Sequence, residues 1–233
     1  MSPGRMAMAV ALVVASGVAG FLAYRHGAPA PASLAALPAP PARAPAPATP
    51  APTAARAASP IPEEVPDLSL PDMSGKAHAL RHNGGRPRLY NFWATWCEPC
   101  RREIPLLNTL QARYGRTDRL EIVGIAVDFQ DAVTKFVAST SLHYTSLVGE
   151  EQGLEAAQRF GMELALPFTV FADEQNRIVA VKVGELHRDE ADLILGQLRS
   201  LRTGATTLPA ARALIGESLK ALSLKRAKQS APS

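Results

Sequence analysis

Leu89-Tyr90-Asn91-Phe92-Trp93-Ala94-Thr95-Trp96-Cys97-Glu98-Pro99-Cys100-Arg101-Arg102-Glu103 is the stretch on which the reading of this chain turns. Its apolar opening has strand character, and a helical pattern takes over at Glu98. The only two cysteines of the 233 residues, Cys97 and Cys100, stand at the junction. A strand that delivers a Cys-x-x-Cys pair to the start of a helix is a device for passing electrons between thiols and a disulfide.

Cys97 falls where unpaired backbone N–H groups and the positive end of the helix dipole favour a thiolate over a thiol. It is therefore expected to ionise below the free-cysteine value of about 8.5 and to act as the nucleophile on a partner's disulfide. Cys100 lies one turn deeper on the same helix face, where it suits the resolution of the resulting mixed disulfide. Pro99 fits the first helical turn, where a missing N–H costs nothing. Glu98 puts a carboxylate beside Cys97 and opposes the thiolate, which leans the pair toward a reductase rather than a strong oxidant. Zinc would need four ligands, yet His26, His78, His82, His143 and His187 are scattered without ligand spacing, so no metal is expected. A purely structural disulfide closing so short a loop would stabilise little.

Phe92 to Pro105 closely resembles the signature of the TlpA/ResA-like thiol-disulfide oxidoreductases, membrane-anchored members of the thioredoxin superfamily. The likeness extends over roughly residues 63–202. Val65-Pro66-Asp67-Leu68-Ser69-Leu70-Pro71-Asp72 with Gly75-Lys76 is similar to a lead-in hairpin shared with peroxiredoxins, and Leu166-Pro167-Phe168-Thr169-Val170-Phe171 resembles the segment carrying the family's cis-proline. The resemblance implies that Trp96, Glu98 and Pro99 line the active site and that Pro167 faces the cysteines. It also implies that the backbone of Leu166 can dock an extended substrate by strand addition. Glu103, three residues after the second cysteine, matches a glutamate that tunes proton transfer in such proteins. Asn91 stands where ordinary thioredoxins carry a buried aspartate, which makes Glu103 the better acid–base candidate. With a thioredoxin-type pair and no further resolving cysteine, peroxidase activity is a weak alternative.

Outward from this centre the chain divides into four parts. Residues 1–26 contain the uncharged, mainly apolar run Met6 to Tyr24 between Arg5 and Arg25. This approaches the roughly 20 residues of a bilayer span and is expected to be an uncleaved signal anchor. Residues 27–62 are an Ala/Pro tract charged only at Arg43 and Arg56 up to the boundary; in the extended polyproline form its roughly 35 residues could reach on the order of 100 Å. Residues 63–202 read as one α/β domain, a thioredoxin-like mixed sheet with helices on both faces. Strands are expected at Arg88 to Ala94, Leu120 to Val127, near Tyr144 to Leu147, at Phe168 to Ala172 and at Ile178 to Val183. Helices are expected at Glu98 to Tyr114, kinked at Pro105, and at Asp131 to Ser139, Leu154 to Phe160 and Asp189 to Leu201. Residues 203–233 add a helix with Leu208, Ala211, Ile215, Leu219 and Leu222 at helical spacing, ending in a basic tail. It is expected to rest on the domain or to be partly ordered, rather than to touch lipid.

The expected function is a thiol-disulfide oxidoreductase with a redox-active Cys97–Cys100 disulfide and no other cofactor. It is held by a single pass in a bacterial inner membrane, with the catalytic domain in the periplasm. By resemblance its partners are exported disulfide proteins such as oxidised apocytochrome c, and a DsbD/CcdA-type membrane electron donor. The net charge of +4 comes without the basic–aromatic interleaving of a nucleic-acid binder. Two rival readings use the same pair: a thioredoxin-like copper chaperone, and a disulfide-forming oxidase.

Overall fold

The computed structural model describes residues 61–163 and 165–230. The expected anchor and nearly all of the Ala/Pro linker lie outside these residues. Among the described residues, no helix is long and apolar enough to cross a membrane. A short antiparallel pair, β1 (Ser69–Pro71) and β2 (Ala77–Ala79), opens the domain. Its turn is closed by Asp72, whose Oδ1 accepts the Ser74 and Lys76 amides, and by Gly75 at φ 85°, a conformation that only glycine adopts without strain.

Five strands then form the main sheet: β3 (Arg88–Trp93), β4 (Glu121–Ala126), β5 (Thr145–Val148), β6 (Phe168–Ala172) and β7 (Ile178–Val183), in the order β5-β4-β3-β6-β7. β3, β4 and β5 run parallel, while β6 and β7 are antiparallel to their neighbours. This is the expected mixed thioredoxin-like sheet. Among the described residues, five helices accompany it: α1 (Glu98–Thr117), α2 (Gln130–Ser139), α3 (Glu150–Arg159), α4 (Arg188–Arg202) and α5 (Leu208–Ser230).

The central strands are buried on both faces, as strands covered by helices must be, and side-chain alternation sorts them into two cores. Tyr90, Phe92, Val123, Ile125, Phe168 and Val170 pack with Ala156 and Ala157 of α3 and with the lead-in residues Val65, Leu70 and Leu80. On the other face Leu89, Ile122, Phe171 and Val179 pack with Leu107 and Leu110 of α1 and with Ala191, Ile194 and Leu198 of α4. α1 continues through Pro105. Arg101, whose carbonyl loses its intrahelical donor there, is exposed.

The largest difference in element bounds from the sequence expectation is at α3. α3 begins four residues before Leu154, because Glu150 and Glu151 favour a first helical turn. α5 is docked: Ala211 and Ile215 are buried, Arg212 donates to the carbonyl of Ile178 on β7, and Arg226 pairs with Asp189 and the buried Glu190 of α4.

Candidate active site

The carboxyl ends of the parallel strands β3 and β4 coincide, the place where α/β sheets gather their functional loops. The chain leaves β3 through Ala94 and Thr95 and enters α1 with Cys97 as its N-cap. Cys97 and Cys100 form a disulfide with a Cα–Cα distance of 5.3 Å. The Cys97 sulfur accepts the Cys100 amide at 3.3 Å, so the first helical turn aims a donor at it as the sequence argument requires. Cys97 keeps 5% of its surface and Cys100 1%. In the oxidised pair Cys97 is thus only slightly more exposed than Cys100, while the adjacent Trp96 is exposed.

Glu98 is exposed, and its carboxylate pairs with Arg102 one turn on, which also pairs with Glu185. Its charge is therefore partly met by Arg102, which weakens the opposition to a Cys97 thiolate anticipated from sequence. Pro99 occupies the first turn of α1. The Leu166–Pro167 peptide is cis, and Leu166 packs into the same cluster as Cys97, Cys100, Trp93 and Val133. The structure therefore brings the two cysteines and the Leu166–Pro167 segment to one place.

Glu103, one turn after Cys100, is 1% exposed. Its Oε1 accepts Asn91 Nδ2 at 2.7 Å and its Oε2 accepts the Leu186 amide at 2.9 Å. Burial pushes its pKa up to about 7, against the two hydrogen bonds, while the nearby charges of Glu185 and Lys182 act in opposite directions. A carboxyl poised there can take and return a proton near neutral pH. Asn91 itself belongs to a polar row that crosses the whole sheet. By register Ser146, Gly124, Asn91, Thr169 and Lys182 lie side by side on the face under α1, and Asn91 also donates to Thr169 Oγ1 at 3.2 Å.

The sequence reading passed over one residue of the site. Asp128, two residues beyond β4 and 5% exposed, accepts the Thr95 amide at 2.8 Å and the Thr95 hydroxyl at 2.6 Å through Oδ2, and the Phe129 amide through Oδ1. It fixes the loop two residues before Cys97. The available signal was an aspartate just past the end of a buried parallel strand. Asp128→Ala is expected to cost about 2 kcal/mol, the worth of hydrogen bonds to a charged group, and to loosen the active-site loop. Denaturant unfolding, with amide exchange at Thr95, measures both.

Comparison with known proteins agrees with this geometry. A family model described as Redoxin matches residues 61–195. The chain is 33% identical over 136 residues to thioredoxin-like protein YneN of Bacillus subtilis (strain 168), spanning 56% of this chain and 75% of that one. It is 29% identical over 139 residues to the thiol-disulfide oxidoreductase ResA of Bacillus cereus (strain ATCC 10987 / NRS 248), spanning 59% of this chain and 78% of ResA. A crystal structure of a candidate thiol:disulfide interchange protein DsbE from Chlorobium tepidum aligns with a TM-score of 0.53 at 25% identity, over 60% of this chain and 96% of that one.

Proposed function

The chain belongs to the Redoxin family and is a ResA-like thiol-disulfide oxidoreductase of the thioredoxin superfamily, and from that premise we propose that it is a membrane-tethered reductase of exported disulfide proteins. A Cys97 thiolate attacks one sulfur of the substrate disulfide, and the other substrate sulfur leaves with the electron pair. Cys100 gives its proton to Glu103 and attacks Cys97. The bond from Cys97 to the substrate then breaks, and the substrate departs with two thiols. The enzyme is left with the Cys97–Cys100 disulfide, having supplied two electrons.

One observation carries this reading: a buried carboxyl held near pKa 7 stands one helical turn from the inner cysteine. Strongly perturbed acids beside a nucleophile mark sites of proton transfer. The Leu166–Pro167 segment docks an extended stretch of substrate beside the pair. The apolar run Met6 to Tyr24 anchors the chain, the Ala/Pro tract spaces the domain from the bilayer, and the domain faces the periplasm. In that oxidising space a DsbD/CcdA-type membrane dithiol donor returns the pair to its reduced form. Apocytochrome c with an oxidised haem-attachment pair is the substrate we favour, on resemblance to ResA.

Trapping in cells tests the assignment. A full-length Cys100→Ser chain is expected to accumulate disulfide-linked to exported cysteine proteins, and wild-type Cys97–Cys100 is expected to be mostly reduced at steady state. Trapped partners confined to the cytoplasm would refute the location. A wild-type pair that stays oxidised while its partners gain disulfides would reverse the direction to an oxidase.

A further inference from the structure

The loop that leaves β7 for α4 touches three parts of the redox centre. Gly184 turns it at φ 81°, and the Gly184 amide donates to the Pro167 carbonyl at 2.8 Å. Two residues on, the Leu186 amide donates to Glu103 Oε2 at 2.9 Å. Between them Glu185 pairs with Arg102, the neighbour of Glu103 on α1, and Arg102 also reaches Glu98 between the cysteines.

Lys182 holds this loop. Its Nζ donates to the Val183 carbonyl at 2.8 Å and to the Glu185 carbonyl at 3.1 Å, the carbonyls on either side of Gly184. Lysine is seldom withdrawn from water without a partner, yet this side chain is 17% exposed. Its charge is met by the buried Glu190, whose Oε2 lies 3.7 Å from Nζ. By register Lys182 stands beside Thr169, and Thr169 beside Asn91. Lys182 therefore shares the sheet face under α1 with the Asn91 side chain that donates to Glu103.

These contacts act on Glu103 in opposite senses. A positive charge or a donor beside a carboxyl favours its ionised form, and a negative charge favours the acid. The Leu186 hydrogen bond is the strongest of the influences that favour the Glu103 carboxylate; Lys182 adds to it, and Glu185 opposes it. The other ionisable groups nearby are matched or neutral. Arg102 is shared by Glu98 and Glu185, and Glu190 by Lys182 and Arg226. Tyr144, whose pKa burial raises, stays a neutral phenol.

We propose that Lys182 and Glu185 are positioning residues for proton transfer, setting in opposite senses how tightly Glu103 holds its proton. Lys182 fixes the Leu186 amide on the carboxyl and adds its own positive charge, and both favour the carboxylate. Glu185 adds a negative charge that favours the acid. The inference rests on the redox reading above, in which Glu103 takes the Cys100 proton as the Cys100 sulfur displaces the substrate thiolate from Cys97. The share of Glu103 present as carboxylate then scales the rate of that step. Through Gly184 the same loop holds the Pro167 segment, so resolution is best measured after the substrate has been attached.

Two titrations of the full-length chain test it. The first follows, in the oxidised state, the carboxyl carbon-13 resonance that Glu103→Gln removes. Lys182→Met is expected to move its midpoint upward by about one pH unit, the low end of the effect of a nearby opposite charge, and Glu185→Gln to move it downward. The second follows single-turnover resolution of the mixed disulfide with a peptide, where the inflection near pH 7 should move with each midpoint. Lys182→Met is then about tenfold slower than the wild type below the inflection, one unit being tenfold, and converges with it by about pH 9. A merely structural role would slow resolution alike at every pH. Should Lys182→Met fail to fold, Glu185→Gln decides, because that side chain sits at the rim, 25% exposed; no downward shift overturns the proposal. Midpoints that stay in place in both variants overturn it and leave the redox reading intact. Midpoints that move with no matching change in resolution uphold the tuning and remove Glu103 from the redox reaction.

Discussion

Replacing Cys97 with serine will reduce disulfide exchange to the uncatalysed background, a loss of more than about 10³-fold or about 4 kcal/mol of transition-state stabilisation. The reason is positional. Cys97 caps α1, takes the Cys100 amide on its sulfur and is the more exposed of the pair, so no other sulfur can start the reaction. Cys100→Ser is expected to fail differently. It should form the mixed disulfide at a rate near that of the wild type, then stall, because the resolving sulfur is gone. Stopped-flow tryptophan fluorescence with a peptide disulfide, followed by non-reducing electrophoresis, separates the two outcomes. Turnover retained by Cys97→Ser, or adducts formed on Cys100 in that variant, would contradict the assigned order of attack.

Glu103→Gln is expected to remove a pH dependence of stability worth about 3 kcal/mol. The carboxyl titrates near 4.5 in the unfolded chain and at about 7 in the fold, and one unit is about 1.4 kcal/mol. Because the folded value is raised, the folded protein binds the extra proton between these limits. The associated stability is complete below about pH 4.5 and is lost as pH rises through 7. Above pH 8 the wild type holds a buried carboxylate at its full cost. Glutamine does not titrate, although its amide must set one N–H against the donors Asn91 and Leu186, a penalty that does not vary with pH. Urea unfolding at pH 5 and pH 8 should therefore show the wild type losing more stability than the variant across the interval. The rate of Cys100 resolution should lose its inflection near pH 7 in the same variant. Equal slopes in the two proteins would mean that Glu103 behaves as an ordinary surface carboxylate.

Much of the centre was legible because its signals are local. The strand before the cysteines, the helix after them and the opposed roles of Cys97 and Cys100 follow from spacing along fewer than two turns of chain. Glu103 was legible only in part: its place one turn from Cys100 came from helical periodicity, but its partner Leu186 lies far along the chain. Asp128 was missed because nothing near it in sequence reveals Thr95 as its partner. The register of β3 against β4, packed between two helical layers, makes that contact.

The sequence by itself determined a redox pair at a strand–helix junction, an α/β scaffold to hold it, and an apolar amino-terminal run followed by an Ala/Pro tract. These rest on residue type and short-range periodicity, which backbone geometry converts directly into local structure. Tertiary structure alone decided that Ser146, Gly124, Asn91, Thr169 and Lys182 form one polar row, that Glu103 is sealed beneath α1, and that α5 locks onto β7 and α4 through Arg212 and Arg226. Each of these depends on strand register and on which faces are buried together. Both are set by packing the whole chain, because a shift of one residue would turn the row to the opposite face.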